Sequence, residues 1–348
     1  MDPNAAIAIF GEQVATDLIR VSTDPTDLDH MGWWAVTQSF EGEFLAFEFA
    51  TVQDLATFDV GVRELPTISV NSWQPSMDKL QYENAVAQIR ADIARGWVYQ
   101  ANLCYVLSAQ INKPFDPIGL WQLIKVHNPA PYLSALYVPM AQSGLTQDIA
   151  ITSASPELFL KRENGLIKSS PIKGTAKTKN ELLEKDRAEN VMIVDLIRND
   201  LSQVATFGSV EVPDLLRLEV HPGLVHLVSD VQGSIPADTS WRSILQAMSP
   251  PGSVSGAPKS SALEVINRLE NTKRGIYCGA FGFVDARNKT GTLAVGIRTF
   301  WESSFEGQRS LNFGTGAGIT WGSVPEHEWQ ETQLKASNLL WVASLDQS

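Results

Sequence analysis

Cysteine is scarce in this chain of 348 residues, with Cys104 and Cys278 the only two. Two thiols cannot build a disulfide framework or a four-thiolate zinc centre. Basic charge is also short: 27 Lys and Arg stand against 39 Asp and Glu, a net −12. That argues against non-specific binding to nucleic acid or anionic lipid, which needs a basic face. No apolar run reaches the roughly 18 residues of a membrane helix. Asp2 sits where a secretory leader would carry positive charge. These absences predict a soluble cytoplasmic chain that engages neither nucleic acid nor membrane. Charged residues make up 19% of the chain, below the usual quarter, and apolar residues 44%. The balance predicts a substantial core rather than disorder.

The length suits about two ordinary domains or one large β-rich one. We expect a short amino-terminal region over 1–70, packing on a core formed by 71–348. Within the first, Gly32 to Phe49 reads as two strands around Glu41-Gly42-Glu43. Lys79 to Arg95 reads as a helix, because Tyr82, Val86, Ile89 and Ile93 recur at helical spacing and Gly96 supplies a stop. Val98 to Ile111 alternates strictly, which predicts a strand with Gln100 and Asn102 sharing the face opposite Ala101 and Leu103. Asn164-Gly165 between two short apolar stretches is a hairpin signal. A helix is expected over 180–198, strands over 224–231, 276–285, 292–301 and 310–320, and a last helix from about Pro325 to Leu345. Strands joined by hairpins, with helices set apart, favour an α+β fold over a doubly wound sheet.

Three groups of residues could carry chemistry. Asp186 and Glu189 lie three apart on one predicted helix, Glu328 and Glu331 on another. Each pair shares a face. Such pairs are either solvated helix surface or, if the helices converge, oxygen donors for a hard cation such as Mg²⁺. Lys173 follows Ser169-Ser170-Pro171-Ile172 and precedes Gly174-Thr175. It is either an exposed strand-end lysine or a nucleophile, and a nucleophilic lysine must be held neutral by burial or a nearby cation. Its relation to Glu157 depends on the hairpin. A two-residue loop turns Glu157 away from Lys173, whereas a three-residue loop places both on one face. The third group is Gly314-Thr315-Gly316-Ala317-Gly318, either a structural turn or backbone N–H groups offered to a carboxylate, with Arg298 able to add a bidentate contact.

Two partial motifs are rejected. His327-Glu328-Trp329-Gln330-Glu331 has Glu where a zinc-protease helix needs its second His. Ser170-x-x-Lys173 with Lys289-Thr290-Gly291 lacks the helix and the intervening S-x-N that a penicillin-binding site requires.

Taken in order, the segments Tyr99-Gln100-Ala101-Asn102-Leu103, Ser155-Pro156-Glu157-Leu158, Pro171 to Thr175, Asp186-Arg187-Ala188-Glu189-Asn190, His226-Leu227-Val228-Ser229, Gly252 to Lys259, Ile297-Arg298-Thr299, Gly316-Ala317-Gly318 and Gln330-Glu331-Thr332 resemble the chorismate-utilising enzymes over residues 79–348. The resemblance implies a large, mostly antiparallel β-sandwich core flanked by helices, with 71–348 as the chorismate-binding catalytic domain. Lys173 and Asn190 point to the branch that aminates chorismate at C4, since the anthranilate-forming branch carries Ala and His at those positions. Gln100 stands where branches that add water carry a lysine base. The implied catalytic residues are Lys173 as nucleophile and Glu157 as general acid, with His226 near the departing hydroxyl. Implied substrate contacts are Gly174, Thr175, Tyr277, Arg298, Gly316, Ala317, Gly318, Gln100 and Lys259. Mg²⁺ would sit on Glu189 and Glu331, with Glu328 and Asp186 beside it. Neither cysteine lies in a G-x-C-x-G nucleophile setting, so the resemblance implies a glutamine amidotransferase subunit as ammonia-donating partner.

Overall fold

The computed structural model describes residues 5–61, 63, 68, 72–176, 178–182, 184–221 and 224–345, with Thr175, His221 and Leu224 described by backbone alone. The expected boundary at 70/71 falls outside the described residues. Strands β1 (Ile7–Phe10), β2 (Gln13–Ser22), β3 (Trp33–Gln38) and β4 (Phe44–Asp54) come first, then the short β5 (Gln74–Pro75) and helix α1 (Lys79–Ala94). There follow β6 (Gln100–Ile111), α2 (Pro117–His127), β7 (Tyr132–Val138), α3 (Met140–Ser143), β8 (Ile149–Ser155), β9 (Leu158–Glu163), β10 (Leu166–Ser170) and β11 (Ile172–Ala176). The remainder runs α4 (Glu184–Ser202), β12 (Glu211–His221), β13 (Leu224–Ser234), α5 (Trp241–Met248), β14 (Gly256–Ala257), α6 (Lys259–Leu269), β15 (Ala280–Asp285), β16 (Thr290–Val295), β17 (Thr299–Phe305), β18 (Gln308–Ile319) and α7 (Pro325–Val342).

The strands join into one hydrogen-bonded sheet, and the registered pairs, from β1 with β7 to β18 with β6, are antiparallel. The expected α+β fold is the one found. The amino-terminal strands belong to the same sheet, because β1 pairs with β7 and β3 with β15. The helix and strand signals of the sequence hold where periodicity was strong. Asp78 caps α1 in a capping box with Gln81, and Tyr82, Val86 and Ile89 turn inward. In β6 the alternate residues Ala101, Leu103, Tyr105, Leu107 and Ala109 enter one apolar cluster.

The strand expected over 292–301 is instead two, β16 and β17, broken at Gly296-Ile297-Arg298. Arg298 turns the corner with φ of 53°, a left-handed conformation that a non-glycine residue rarely takes. α4 starts later than expected, at Glu184, and continues to Ser202. The helices α5 and α6 and the edge strand β12 were not among the expected elements, although Ser240 followed by Trp241, Ile244, Leu245 and Met248 is a capped helical pattern.

One buried ion pair ties the parts together. Arg274 is 2% exposed. Its guanidinium meets both carboxylate oxygens of Glu270 at 2.6 and 2.8 Å and donates to the carbonyls of Val254 at 2.9 Å and Asn102 at 2.7 Å. It also lies 4.1 Å over the Phe40 ring. Glu270 in turn accepts from the N–H of Cys104 at 2.8 Å. Arg274→Met leaves a buried carboxylate without its counter-ion and takes a donor from two carbonyls, and is expected to cost about 3–5 kcal/mol of unfolding free energy, measured by urea denaturation against wild type.

Candidate active site

Two helices face each other across one end of the sheet. α4 lies against β11 and β13, and α7 against β18 and α1. Between them is a cavity of about 490 Å³ whose lining includes Glu157, Lys173, Gly174, Asp186, Glu189, His226, Tyr277, Arg298, Gly316, Gly318, Glu328 and Glu331. Residues dispersed over more than 170 positions of sequence thus share one space, and the acidic helix faces are not mere solvated surface.

Glu157 and Lys173 line this cavity together, by a route that neither hairpin alternative described. The loop is the two-residue one: Leu166 faces Glu163 across Asn164-Gly165, both at positive φ. That register alone would turn Glu157 away. However, β9 slips by one residue at Phe159–Leu160 against both its neighbours, since Ser170 and Ala294 each pair with Leu158. This β-bulge restores Glu157 to the face of Lys173. Downstream, Gly174 has φ of 90°, and a Cβ there would come 2.8 Å from the Asp186 side chain, so glycine permits the close passage of β11 past α4.

The glycine run is no turn. It lies within β18, paired with β6 through Gly314↔Val106, Gly316↔Cys104 and Gly318↔Asn102. On its other edge the registered pairing with β17 ends at Phe300↔Phe313. A Cβ at Gly318 would fall 2.4 Å from Gln100 Nε2 and 2.9 Å from Glu189 Oε1. The reason for glycine here is the space those two side chains need.

Electrostatics differ from the sequence expectation at Lys173. Its side chain is 12% exposed and its Nζ lies 3.0 Å from Glu189 Oε1. Burial pulls the ammonium pKa down, but Glu189, then Glu157 and Glu331, outweigh it and hold the pKa above the ordinary value. The ligand-free lysine is therefore charged, not the neutral amine expected. Glu157 goes the other way. Burial pushes its pKa up to about 7, against hydrogen bonds from Ser253 and the Ile172 N–H and the field of Lys173. Burial raises Glu328 also. At Glu331 burial is outweighed by Lys335, Lys185 and Lys173, which hold it below the usual carboxylate value. Lys335 meets Glu331 at 2.7 Å and donates to the Gly316 carbonyl at 3.1 Å. Lys335 went unread in the sequence, its one signal being the spacing one turn beyond Glu331, and Ser253, within the Gly252 to Lys259 segment, was given no role.

Other expected residues are placed less directly. Gln100 is 1% exposed and stands behind the wall, where its Nε2 donates to Glu189 Oε1 at 2.6 Å. Its Oε1 is buried without a hydrogen-bond partner among the described residues. Ala317 points its side chain into the apolar cluster beneath β18. Lys259 lies outside the cavity lining and is held by Asp200 at 2.6 Å and by the Met248 carbonyl at 3.2 Å. Its charge is spent on Asp200. Thr175 is opposite His226 in the β11–β13 ladder, and its side chain lies outside the described set. Arg298 has no carboxylate partner among the described residues, and its guanidinium is desolvated enough to lower its pKa. No group of three His, Cys, Asp or Glu among the described residues is close enough to hold a metal by itself.

Residues 63–341 match the model of the chorismate binding enzyme family. This chain belongs to that family. Among curated chorismate-binding relatives it is 36% identical over 283 residues to anthranilate synthase component 1 of Aquifex aeolicus, covering 77% of this chain and 54% of that protein. It is equally 36% identical over 282 residues to aminodeoxychorismate synthase component 1 of Salmonella typhimurium, covering 78% and 59%. The chain thus spans little more than half the length of these relatives. The menaquinone-specific isochorismate synthase of Escherichia coli shares the fold, with a TM-score of 0.78 at 17% identity over 99% of this chain and 89% of that one. No helix among the described residues is long and apolar enough to cross a membrane.

Glu157 gives a direct test of the cavity's electrostatics. A carboxyl held near 7 rather than 4.5 binds its proton more tightly in the folded chain. The stability it confers is present at low pH and is lost as pH rises from about 4.5 to about 7, a loss of about 3 kcal/mol. Glu157→Gln removes this titration. The stability of the variant relative to wild type, from urea denaturation at pH 4 and pH 8, should rise by about that amount at the higher pH.

Proposed function

We propose that this chain is the chorismate-aminating component of an aminodeoxychorismate synthase, converting chorismate and ammonia to 4-amino-4-deoxychorismate and water. The observation that carries this reading is Lys173 Nζ, enclosed in the cavity with Glu157 and 3.0 Å from Glu189. The anthranilate-forming branch, by resemblance, has alanine there.

In this reading Arg298 awaits a carboxylate as its missing counter-ion, and with Tyr277 and the free edge of β18 at Gly316 and Gly318 it holds the enolpyruvyl carboxylate. Gly174 and the Thr175 backbone lie against the ring. Lys173 first gives up its extra proton to solvent, since a Glu189 carboxylate that holds the metal cannot also take it. The Nζ lone pair then bonds to C2, the ring double bonds shift, and the C4–O bond breaks. Glu157, about half protonated near pH 7 because of its burial, passes its proton to the departing oxygen, which leaves as water. His226 stands near that departing group. Ammonia next bonds to C4, the double bonds shift back, and the C2–Nζ bond breaks to free the lysine.

The donor set suits magnesium: Glu189, Glu328 and Glu331, with Asp186, offer hard oxygens to the same cavity. A preformed trio is not required, since Mg²⁺ commonly takes one or two carboxylates and completes its shell with substrate oxygens and water. Glu189 and Glu331 would hold such an ion, which would supply positive charge for the ring carboxylate. Both cysteines are buried and outside any glutaminase motif, so ammonia comes from a glutamine amidotransferase subunit, for which ammonium salts substitute in vitro.

The purified chain, given chorismate, Mg²⁺ and ammonium, should form a product that becomes 4-aminobenzoate only when an aminodeoxychorismate lyase is added. Anthranilate fluorescence without a lyase would overturn the reading in favour of the anthranilate branch. A chorismate adduct should appear by intact mass in wild type and vanish in Lys173→Ala; its persistence in the variant removes the nucleophile. Glu157→Gln should slow turnover roughly 10²- to 10⁴-fold while the chain stays folded.

A further inference from the structure

Glu189 meets two donors on a single carboxylate oxygen. Its Oε1 accepts from Lys173 Nζ at 3.0 Å and from Gln100 Nε2 at 2.6 Å, and Gly318 leaves the room for both side chains. Lys173 is nearly enclosed, so its charge is poorly screened by water. Glu331 has a resident cation too, Lys335, but there both side chains are about half exposed, and solvent weakens the pair. An ammonium and a dication cannot share one carboxylate in such a space without strong repulsion.

We propose that the Lys173 ammonium is the resident counter-ion of Glu189 and that a divalent cation reaches Glu189 only by displacing it, so that Lys173 lowers the chain's affinity for metal. This rests on the reading of Glu189 as a metal-holding residue. It assigns Lys173 a second role, separate from bonding to substrate: the lysine occupies the carboxylate until metal takes it. The cavity then never holds Glu189 without a cation. Gln100, fixed by the same oxygen, keeps Glu189 oriented during the exchange.

The test is isothermal titration of the purified full chain with magnesium chloride alone, at one pH and ionic strength, without chorismate or ammonium. Lys173→Met should bind Mg²⁺ at least about tenfold more tightly than wild type. Lys173→Arg, which keeps the charge, should stay within about threefold of wild type, and Lys335→Met should gain less than Lys173→Met. Circular dichroism establishes that each variant is folded, with Lys173→Gln in place of the methionine variant if that one is not. Equal or weaker binding by the neutral variant overturns the proposal, as does an absence of binding by every variant up to tens of millimolar. The assay needs no turnover, so the two readings fail separately. Wild type that forms aminodeoxychorismate with no tightening in Lys173→Met refutes the displacement alone, and tightening in a chain that makes no product refutes the proposed reaction alone.

Discussion

The geometry of the cavity depends on Arg274. A guanidinium removed from water has to find partners for all its donors, and this one takes them from three separate parts of the chain: a carboxylate beyond α6, a carbonyl of β6 and a carbonyl of the Gly252–Val254 turn. The β6 carbonyl belongs to Asn102 and the turn carries Ser253, and both of these residues line the cavity. Two walls that sequence places some 150 residues apart are therefore fixed to one planar group. Replacing such a pair with apolar side chains of similar size often costs little in other proteins. Here the same guanidinium also sets the spacing of two backbone segments, which hydrocarbon cannot do.

Against that fixed frame, the cavity is an arrangement of opposed charges. Its carboxylates outnumber its cations, and each acid responds to what encloses it. Glu157, deep in the wall with hydroxyl and amide donors but no cation in contact among the described residues, holds its proton up to about pH 7. Glu331, reached by lysines, stays ionised. The same residue type thus serves two ends through different surroundings, which is the pattern expected where one group must donate a proton and others must hold positive charge. Arg298 completes the set at the opposite side. It is held at a strained backbone corner with no anion among the described residues to satisfy it, the kind of local cost that proteins concentrate at binding sites.

Much of this was legible in the residues. Alternation in β6 put Gln100 and Asn102 on one face, and helical spacing put Asp186 with Glu189 and Glu328 with Glu331, because such patterns depend only on near neighbours. What escaped notice depends on distant ones. The charge on Lys173 is decided by Glu189, from another element, against a burial effect of opposite sign. Lys259 looked available for substrate until Asp200, from the far end of α4, took it. The corner at Arg298 was hidden because β-branched and apolar residues continue on both sides of it and read as one strand. Nothing in the sequence announced that Arg274 and Glu270 would both be buried, since four-residue spacing of opposite charges usually marks an exposed helix face.

The slip in β9 has a consequence for how such chains can change. Leu158-Phe159-Leu160 contains no glycine or proline, yet both Phe159 and Leu160 are buried where strict alternation would send one of them outward. The strand counts its residues in odd and even, and a single extra member reverses the count for everything before it. Loss of any one residue here would leave the fold's hairpin intact and its loop unchanged, but would swing the acid out to the far side of the sheet. Length over these few residues therefore acts on the site through its parity: an odd change turns the acid away, and an even one returns it to its face.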